Sequence, residues 1–220
     1  MQFSRRHFVG AAIAATAGAS STGRAFAEPE NLLPRSYAVP AEAREAGQPP
    51  LLAEALAALD THSAYVLDRD RIGLVDFGAH SRESRFHLVD VAGGRIERSW
   101  LVAHGNGSDP IATGMLQRFS NEPGSNATSR GAYVTSATYY GKHGISQRVI
   151  GLDPTNNMAL GRAIVIHGAS YVDPALIARQ GRIGRSQGCF AVEPGEIAAV
   201  MERLGAGRMI YAGRTETGLA

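Results

Sequence analysis

Apolar residues follow two different spacings along the chain. Over residues 51–59 they recur at helical spacing among strong helix formers, which predicts one amphipathic helix. From residue 71 onward the pattern changes to short apolar or alternating runs separated by glycine, which indicates strands. The predicted strands are 72–77, 85–91, 96–103, 131–135, 147–152, 163–167, 189–192 and 209–212. Gly93 and Gly94 predict a two-residue hairpin turn between the second and third of these strands.

Two further helices interrupt the strands. Asp173 can cap a helix over 173–180, with Pro174 in its first turn. A second helix is predicted over 194–204 and stops at Gly205. The pattern therefore predicts a mainly β protein of the β-rich α+β class, a β-sandwich or curled mixed sheet with a few peripheral helices.

The N-terminus has the pattern of an export signal. S-R-R-H-F-V at 4–9 matches the twin-arginine signature, and a small-residue apolar stretch follows over 9–19. A-F-A at 25–27 offers small residues to a signal peptidase, so cleavage is expected before Glu28. The apolar stretch is too short for a transmembrane helix. We therefore expect a signal peptide at 1–27, a periplasmic product and no membrane association after cleavage.

The remaining chain divides into three predicted stretches. Residues 28–50 contain five prolines and predict an extended arm or linker, residues 51–214 form one domain, and 215–220 form a tail. The leader holds three of the 22 Lys and Arg residues and no Asp or Glu, which leaves 19 basic against 20 acidic residues. The basic isoelectric point thus comes largely from the leader, and nucleic-acid binding is not expected.

One cysteine and one histidine carry the candidate chemistry. Cys189, the only cysteine, lies in G-R-S-Q-G-C-F-A and cannot form an internal disulfide. His167 ends an apolar strand and is followed by Gly168, which leaves room around the imidazole. The pair suggests a cysteine nucleophile with a histidine base. Taken singly, each residue could instead be structural, the histidine packed and the cysteine a small buried hydrophobe.

The turn before Cys189 also suggests a role for backbone groups. The N–H groups of Gln187, Gly188 and Cys189 could converge on one point as the turn enters its strand. Such a point would be an oxyanion hole for the tetrahedral intermediate of acyl transfer.

These motifs resemble those of the YkuD-like L,D-transpeptidases, in a variant branch of that family. H-G at 167–168 followed by S-Q-G-C at 186–189 is similar to the catalytic signature, and H-G-N-G-S at 104–108 and Y-Y-G-K-H-G at 139–144 extend the resemblance. The resemblance runs over about 51–211. It implies that Cys189 is the nucleophile, that His167 is the base and that the Gly168 carbonyl orients the imidazole. Gln187 replaces a histidine of the better-known branch.

The resemblance also implies the reaction and its partners. The expected enzyme is a cysteine acyltransferase that cross-links peptidoglycan stem peptides through a thioester, with carbapenem-type β-lactams as inhibitors and no cofactor or metal. The donor L-centre can be at stem position three or one, giving 3-3 or 1-3 cross-links. With water as the second nucleophile, the same site would be an L,D-carboxypeptidase or endopeptidase.

Several polar and aromatic residues are candidates for substrate binding. The guanidinium group of Arg185 suits a substrate carboxylate, and Arg182 is a second candidate of this kind. The other candidates are Ser186, His143, Tyr140 and Tyr171, with Tyr133 as a further aromatic residue. Each could also be an ordinary loop or structural residue.

Two other classes of protein remain open from the sequence. His104, His143, His167 and Cys189 could meet around zinc, although no pair has the short spacing typical of such sites. The chain could also be a non-catalytic cell-wall-binding domain that kept the fold.

Overall fold

The computed structural model describes residues 48–215. The predicted signal peptide 1–27, most of the predicted arm 28–50 and residues 216–220 of the predicted tail lie outside the described residues. Within them, Pro49 is buried and its carbonyl accepts a hydrogen bond from the Leu52 N–H at 3.2 Å. The end of the predicted arm is therefore packed against the start of the first helix.

The described residues form three α-helices and eight strands, one for each predicted element. The helices are α1 (Leu52–Thr61), α2 (Pro174–Gln180) and α3 (Ile197–Leu204). The strands are β1 (Arg71–Asp76), β2 (Phe86–Asp90), β3 (Arg95–Trp100), β4 (Gly131–Gly141), β5 (Gly144–Gly151), β6 (Val165–Gly168), β7 (Phe190–Val192) and β8 (Met209–Gly213). No helix among residues 48–215 is long and apolar enough to cross a membrane.

All eight strands belong to one mixed sheet. Their order is β3-β2-β1-β8-β4-β5-β6-β7, in which β1 pairs in parallel with β8, β6 pairs in parallel with β7, and the other pairs are antiparallel. Although β3 and β7 are at opposite edges, the chain after β3 returns to β7, where the Ala103 N–H donates to the Ala191 carbonyl at 2.9 Å. The sheet is therefore curled, and the predicted mainly β class is confirmed.

Side-chain alternation gives the sheet two apolar faces. One face packs against α1 through Leu52, Ala55 and Leu59. The other packs against α3, whose buried residues are the predicted apolar face Ile197, Val200, Met201 and Leu204. Both faces are covered, which explains why β8 is buried along its whole length.

The predicted Gly93–Gly94 hairpin turn is wrong. Asp90 pairs with Arg95, so four residues connect β2 and β3. The Asp90 carboxylate accepts a hydrogen bond from the Gly93 N–H at 3.0 Å, and Gly94 takes the left-handed conformation with φ 61°. The side chain of Asp90 thus helps to form a longer loop than the two glycines suggested.

The hairpin of β4 and β5 is longer than predicted. β4 continues six residues past Thr135, and β5 begins at Gly144 rather than at residue 147. The pairing register shifts between Thr135 and Thr138, which marks a bulge, and the outer part of β4 is largely exposed. Exposed residues beyond a bulge lack the apolar alternation that identifies a strand. The extension projects Lys142 and His143 at its tip.

Candidate active site

A cleft of about 610 Å³ gathers most of the predicted site residues. It lies where β6, the start of β7 and the tip of the β4–β5 hairpin meet. Cys189, His167, His143, Tyr171 and Arg185 all line it. Its volume is that of an ordinary small-ligand pocket.

Strand pairing brings Cys189 and His167 to the same wall. Ile166 of β6 is opposite Phe190 of β7, and both side chains are buried in the main core. Because neighbouring residues in a strand point to opposite faces, Cys189 and His167 lie on the other face, toward the cleft. His167 lies in β6 and Cys189 immediately precedes β7, so the pairing of these strands brings together two residues that are 22 positions apart in the sequence.

A backbone hydrogen bond fixes the orientation of His167. The carbonyl of Gly168 lies 2.9 Å from Nδ1 of the ring, as the resemblance implies. A carbonyl only accepts, so Nδ1 carries the proton and Nε2 of the neutral ring has its lone pair available. Burial is the main cause that lowers the pKa of His167 from its ordinary value. The hydrogen bond to Gly168 acts in the opposite direction, and the neighbouring His143 and Lys142 lower the pKa further. The imidazole is therefore neutral at neutral pH.

His143 packs directly on this imidazole. The two rings are stacked, with centroids 4.2 Å apart and planes 20° from parallel. Burial, followed by the charge of Lys142, lowers the pKa of His143 as well. The hairpin tip therefore covers one face of the His167 ring.

The thiol of Cys189 is partly buried near a carbonyl. Its Sγ lies 3.7 Å from the Ala163 carbonyl oxygen. Burial raises the pKa of Cys189, and this outweighs the opposing effects of the Val165 N–H and of the cations Lys142 and Arg162. The resting groups are a neutral thiol and a neutral imidazole that line the same cleft. A thiol in this state would need a base to remove its proton before the sulfur could act as a nucleophile.

The turn before Cys189 is held by the side chain of Ser186. The Ser186 hydroxyl accepts from the Gly188 N–H at 3.0 Å and donates to the Cys189 carbonyl at 2.8 Å. It therefore stabilises the turn, and direct binding of substrate by this hydroxyl is not supported. The Gly188 N–H donates to the Ser186 hydroxyl and is therefore not directed at a substrate oxygen. Of the predicted oxyanion donors, Gln187 and Cys189 remain candidates.

Position 188 requires glycine. Gly188 has φ 110°, a backbone conformation that residues with a side chain rarely adopt. A Cβ there would be 2.7 Å from the Ala127 carbonyl oxygen and 2.9 Å from Ile164. The small residues of the motif thus allow the turn to pack closely against its neighbours.

A fully buried polar network is connected through His104 to the turn before Cys189. Arg85 donates from Nη2 to Nδ1 of His104 at 2.7 Å, and Nε2 of His104 lies 3.4 Å from Oδ2 of Asp109. Since arginine only donates, Nδ1 accepts and Nε2 carries the ring proton. Burial lowers the pKa of His104 to about 4, helped by the charge of Arg85. A neutral histidine therefore links a cation to a carboxylate.

This network supports the loop that holds the turn before Cys189. The Ser186 N–H donates to the His104 carbonyl at 2.8 Å, and the Asn106 N–H donates to the Ser186 carbonyl at 2.8 Å. Nη1 of Arg185 donates to the Asp109 carbonyl. His104 and Asp109 thus use their side chains in the network and their carbonyls to bind the turn.

Replacing Arg85 with methionine should lower the free energy of unfolding by about 3–5 kcal/mol, because it leaves the carbonyls of Val102 and Ala79 and Nδ1 of His104 without their donor. Urea unfolding measures this change. Arg82→Met is the matched control, because Arg82 is exposed three residues away. A loss at Arg85 no greater than at Arg82 would contradict a stabilising network.

Three of the predicted aromatic and basic candidates lie away from the cleft. Tyr140 is 87% exposed and does not line it. Its neighbour Tyr139 lines the cleft instead, because adjacent residues of β4 face opposite sides. Tyr133 is buried, with its hydroxyl donating to the Ser129 carbonyl at 2.8 Å, and Arg182 bonds to the Ile183 carbonyl next to it. Tyr140, Tyr133 and Arg182 are therefore wrong as cleft residues.

The cleft also contains cations that the sequence did not single out. Lys142 and Arg162 line it, together with the asparagines Asn106 and Asn126. Tyr171 stays a cleft residue, and burial raises the pKa of its hydroxyl to about 12. No sequence motif marks Arg162, which reaches the cleft from the loop before β6.

The residues of the possible zinc site do not all come together. His104 is buried in the network with Arg85, whereas the other three line the cleft. Within residues 48–215 no group of three or more His, Cys, Asp or Glu side chains is arranged to hold a metal ion.

Comparison with known proteins gives the family. The model of the YkuD_2 family, described as L,D-transpeptidase catalytic domain, matches residues 44–212. No curated protein matches the chain. This protein belongs to the L,D-transpeptidase catalytic domain family.

Several solved structures of L,D-transpeptidases are similar to this chain at low sequence identity. One from Xylanimonas cellulosilytica is 18% identical, with 73% of this chain and 69% of that chain covered and a TM-score of 0.40. One from Mycobacterium smegmatis is 16% identical, with 66% and 58% covered and a TM-score of 0.39. LdtMt1 in complex with imipenem is 15% identical, with 66% and 59% covered and a TM-score of 0.39. The chain thus covers less than two thirds of the last two.

Proposed function

We propose that this protein is an exported cysteine L,D-transpeptidase that joins peptidoglycan stem peptides through a thioester. The observation that carries the proposal is the arrangement of Cys189 and His167 on one wall of a cleft. The Gly168 carbonyl holds the imidazole in the tautomer that can accept a proton at Nε2. Family membership supplies the reaction class.

Acylation is the first step. Nε2 of His167 takes the thiol proton as Sγ of Cys189 attacks the carbonyl carbon of an L-residue in the donor stem. The C–N bond to the following D-residue breaks, and the same proton passes to its departing amine. The backbone N–H groups of Gln187 and Cys189 are the candidate donors to the oxyanion, each worth about 3 kcal/mol in comparable sites.

Deacylation releases the enzyme. The side-chain amine of a second stem attacks the thioester carbonyl, His167 takes a proton from that amine, and the proton returns to the departing sulfur. The product is a new peptide bond between two stems. Water can replace the amine, and the same site then acts as an L,D-carboxypeptidase or endopeptidase.

Product analysis distinguishes these outcomes. Digestion of purified muropeptides with the mature protein, read by mass spectrometry, should give cross-linked dimers. Fragmentation of these dimers should place the bond at donor position three or position one. Shortened monomers without dimers would establish hydrolysis instead. Cys189→Ala is the control, and sedimentation with sacculi measures its binding. Sacculus binding that is unchanged in Cys189→Ala, with no product formed by wild type, would favour the non-catalytic wall-binding class.

Carbapenem-type β-lactams are the proposed inhibitors. They present a strained amide to the base-assisted thiol of Cys189, which would open the ring and retain the acyl group. Imipenem bound to LdtMt1 supports this class of ligand for the family.

Export by the twin-arginine route has its own test. Replacing Arg5 and Arg6 together by lysine should leave the precursor in the cytoplasm, because the translocon reads this pair. Fractionation followed by immunoblotting measures the distribution, with Arg24→Lys as the control in the same leader. Normal periplasmic accumulation of the double variant would contradict this route.

A further inference from the structure

The charge of the cleft is one-sided. Lys142, Arg162 and Arg185 line it together with two histidines, and none of its described lining residues is Asp or Glu. Low-dielectric walls that carry one sign of charge concentrate ligands of the opposite sign. The ligand expected here is therefore an anion.

These cations also lack a carboxylate partner. Elsewhere in the domain, partly buried arginines are neutralised, as Arg208 is by Asp70 at 2.9 Å and Arg98 by Glu196 at 2.7 Å. Within residues 48–215, Lys142, Arg162 and Arg185 form no ion pair with Asp or Glu. A partly buried cation without a counter-ion is costly, so a ligand that supplies negative charge to Arg162 and Arg185 would gain most here.

Arg162 is held rigidly beside the catalytic turn. Its Nη1 donates to the Ser120 carbonyl at 2.9 Å and to the Ser129 hydroxyl at 2.6 Å, and its Nη2 donates to the Ala127 carbonyl. These uncharged oxygens use three of the five N–H groups of the guanidinium, which leaves two for a ligand. A Cβ built at Gly188 would be 3.1 Å from Nη2, so the cation lies against the residue that precedes Cys189.

Lys142 approaches the same region from the hairpin tip. It is exposed, and the next residue, His143, stacks on His167. Both Lys142 and Arg162 are close enough to Cys189 for their charges to act on its thiol. The two cations therefore lie near the reacting sulfur, one on a fixed loop and the other on a flexible side chain.

The two possible donor bonds share one chemical feature. A D-alanine that leaves from a tetrapeptide donor carries its terminal carboxylate. A D-glutamate that leaves from position one carries a free α-carboxylate, because the stem continues through its side chain. In both cases a carboxylate lies on the carbon next to the departing nitrogen.

We propose that Arg162 and Lys142 bind the α-carboxylate of the leaving D-residue, so that the enzyme selects donors in which this group is a free acid. The inference rests on the proposed function, since it assigns part of the same cleft. Binding this carboxylate places the scissile carbonyl next to Cys189. The two cations also neutralise the negative charge of the carboxylate, which would otherwise oppose formation of the thiolate.

Two donor peptides test the proposal, identical except that the leaving residue carries either a free α-carboxylate or a primary amide. Single-turnover acylation of the mature enzyme is followed by intact-protein mass spectrometry. Wild type should be acylated by the acid about tenfold or more faster than by the amide, as expected for a charge-assisted contact. Lys142→Gln and Arg162→Gln should each lower this preference chiefly by slowing the reaction of the acid.

Matched variants separate charge from folding. Arg162→Lys keeps the charge and should retain more of the preference than Arg162→Gln, with thermal melting followed in each. Arg203→Gln, an exposed residue on α3, should keep the full preference. Lys142 is exposed at a hairpin tip, so its variant tests the proposal even if Arg162→Gln unfolds. Equal acylation of wild type by acid and amide overturns the carboxylate subsite and leaves the proposed function intact. No acylation by either peptide would overturn the proposed function itself.

Discussion

Replacing His167 with alanine should slow acylation of Cys189 by about 100-fold or more, the usual contribution of general-base assistance. The reason lies in the two pKa shifts. Burial raises the pKa of Cys189 and lowers the pKa of His167, so the pair rests as thiol and imidazole rather than as thiolate and imidazolium. A protonated thiol is a weak nucleophile, and the base is needed in each turnover.

The pH dependence separates this role from a structural one. His167 must be neutral to accept a proton, so wild-type acylation should fall as the pH drops through the His167 pKa, which lies below the ordinary value of 6.5. Without the base, His167→Ala should react only through ionised thiol, and its rate should rise continuously into the alkaline range. Acylation assays that are stopped at fixed times, run from pH 5 to 9, measure the pH–rate profiles of wild type and of His167→Ala. A variant that retains near wild-type rates but melts at much lower temperature would show that His167 is a packed structural residue.

Much of the fold was predictable because apolar runs, helix caps and glycines mark its strands and helices clearly in the sequence. Val165 and Ile166 of the apolar run before His167 form β6 with the histidine toward its end, whereas the predicted start at residue 163 is two residues too early. Asp173 and Pro174 likewise give the start of α2, where the Asp173 carboxylate accepts from the Ala175 N–H at 2.8 Å. Local signals of this kind need no tertiary information.

The outer part of the β4–β5 hairpin was not predictable in the same way. Its residues are mostly exposed and lie beyond a bulge, so neither alternation nor burial marks them as strand. An uncertain register also explains the choice of Tyr140 over Tyr139, since a shift of one residue reverses the face.

Other parts of the site depend on tertiary contacts. The Arg85–His104–Asp109 network joins residues up to 24 positions apart in the sequence. Its side chains are of polar and charged types that usually lie at the protein surface, so the sequence gives no sign of their burial. Arg162 similarly follows an irregular loop and is placed by bonds to Ser129 and its neighbours. Such contacts are specified by the complete fold and have no motif of their own.

Replacing Cys189 with serine should abolish the covalent intermediate. The substitution changes only sulfur to oxygen, and the turn built by Ser186 and Gly188 remains available to hold it. A serine hydroxyl is a far weaker acid than a thiol, and a buried imidazole with a lowered pKa is too weak a base to ionise it. Folding should be almost unchanged, which circular dichroism and thermal melting can verify.

Intact-protein mass spectrometry of the mature enzyme, taken shortly after mixing with a donor stem peptide in the absence of acceptor, tests the cysteine acyl-enzyme most directly. Wild type should gain one adduct with the mass of the donor lacking its leaving D-residue. Peptide mapping should place the adduct on Cys189, and Cys189→Ser should show none. A Cys189→Ser protein that still forms the adduct or still cross-links stem peptides would contradict the assignment of Cys189 as nucleophile.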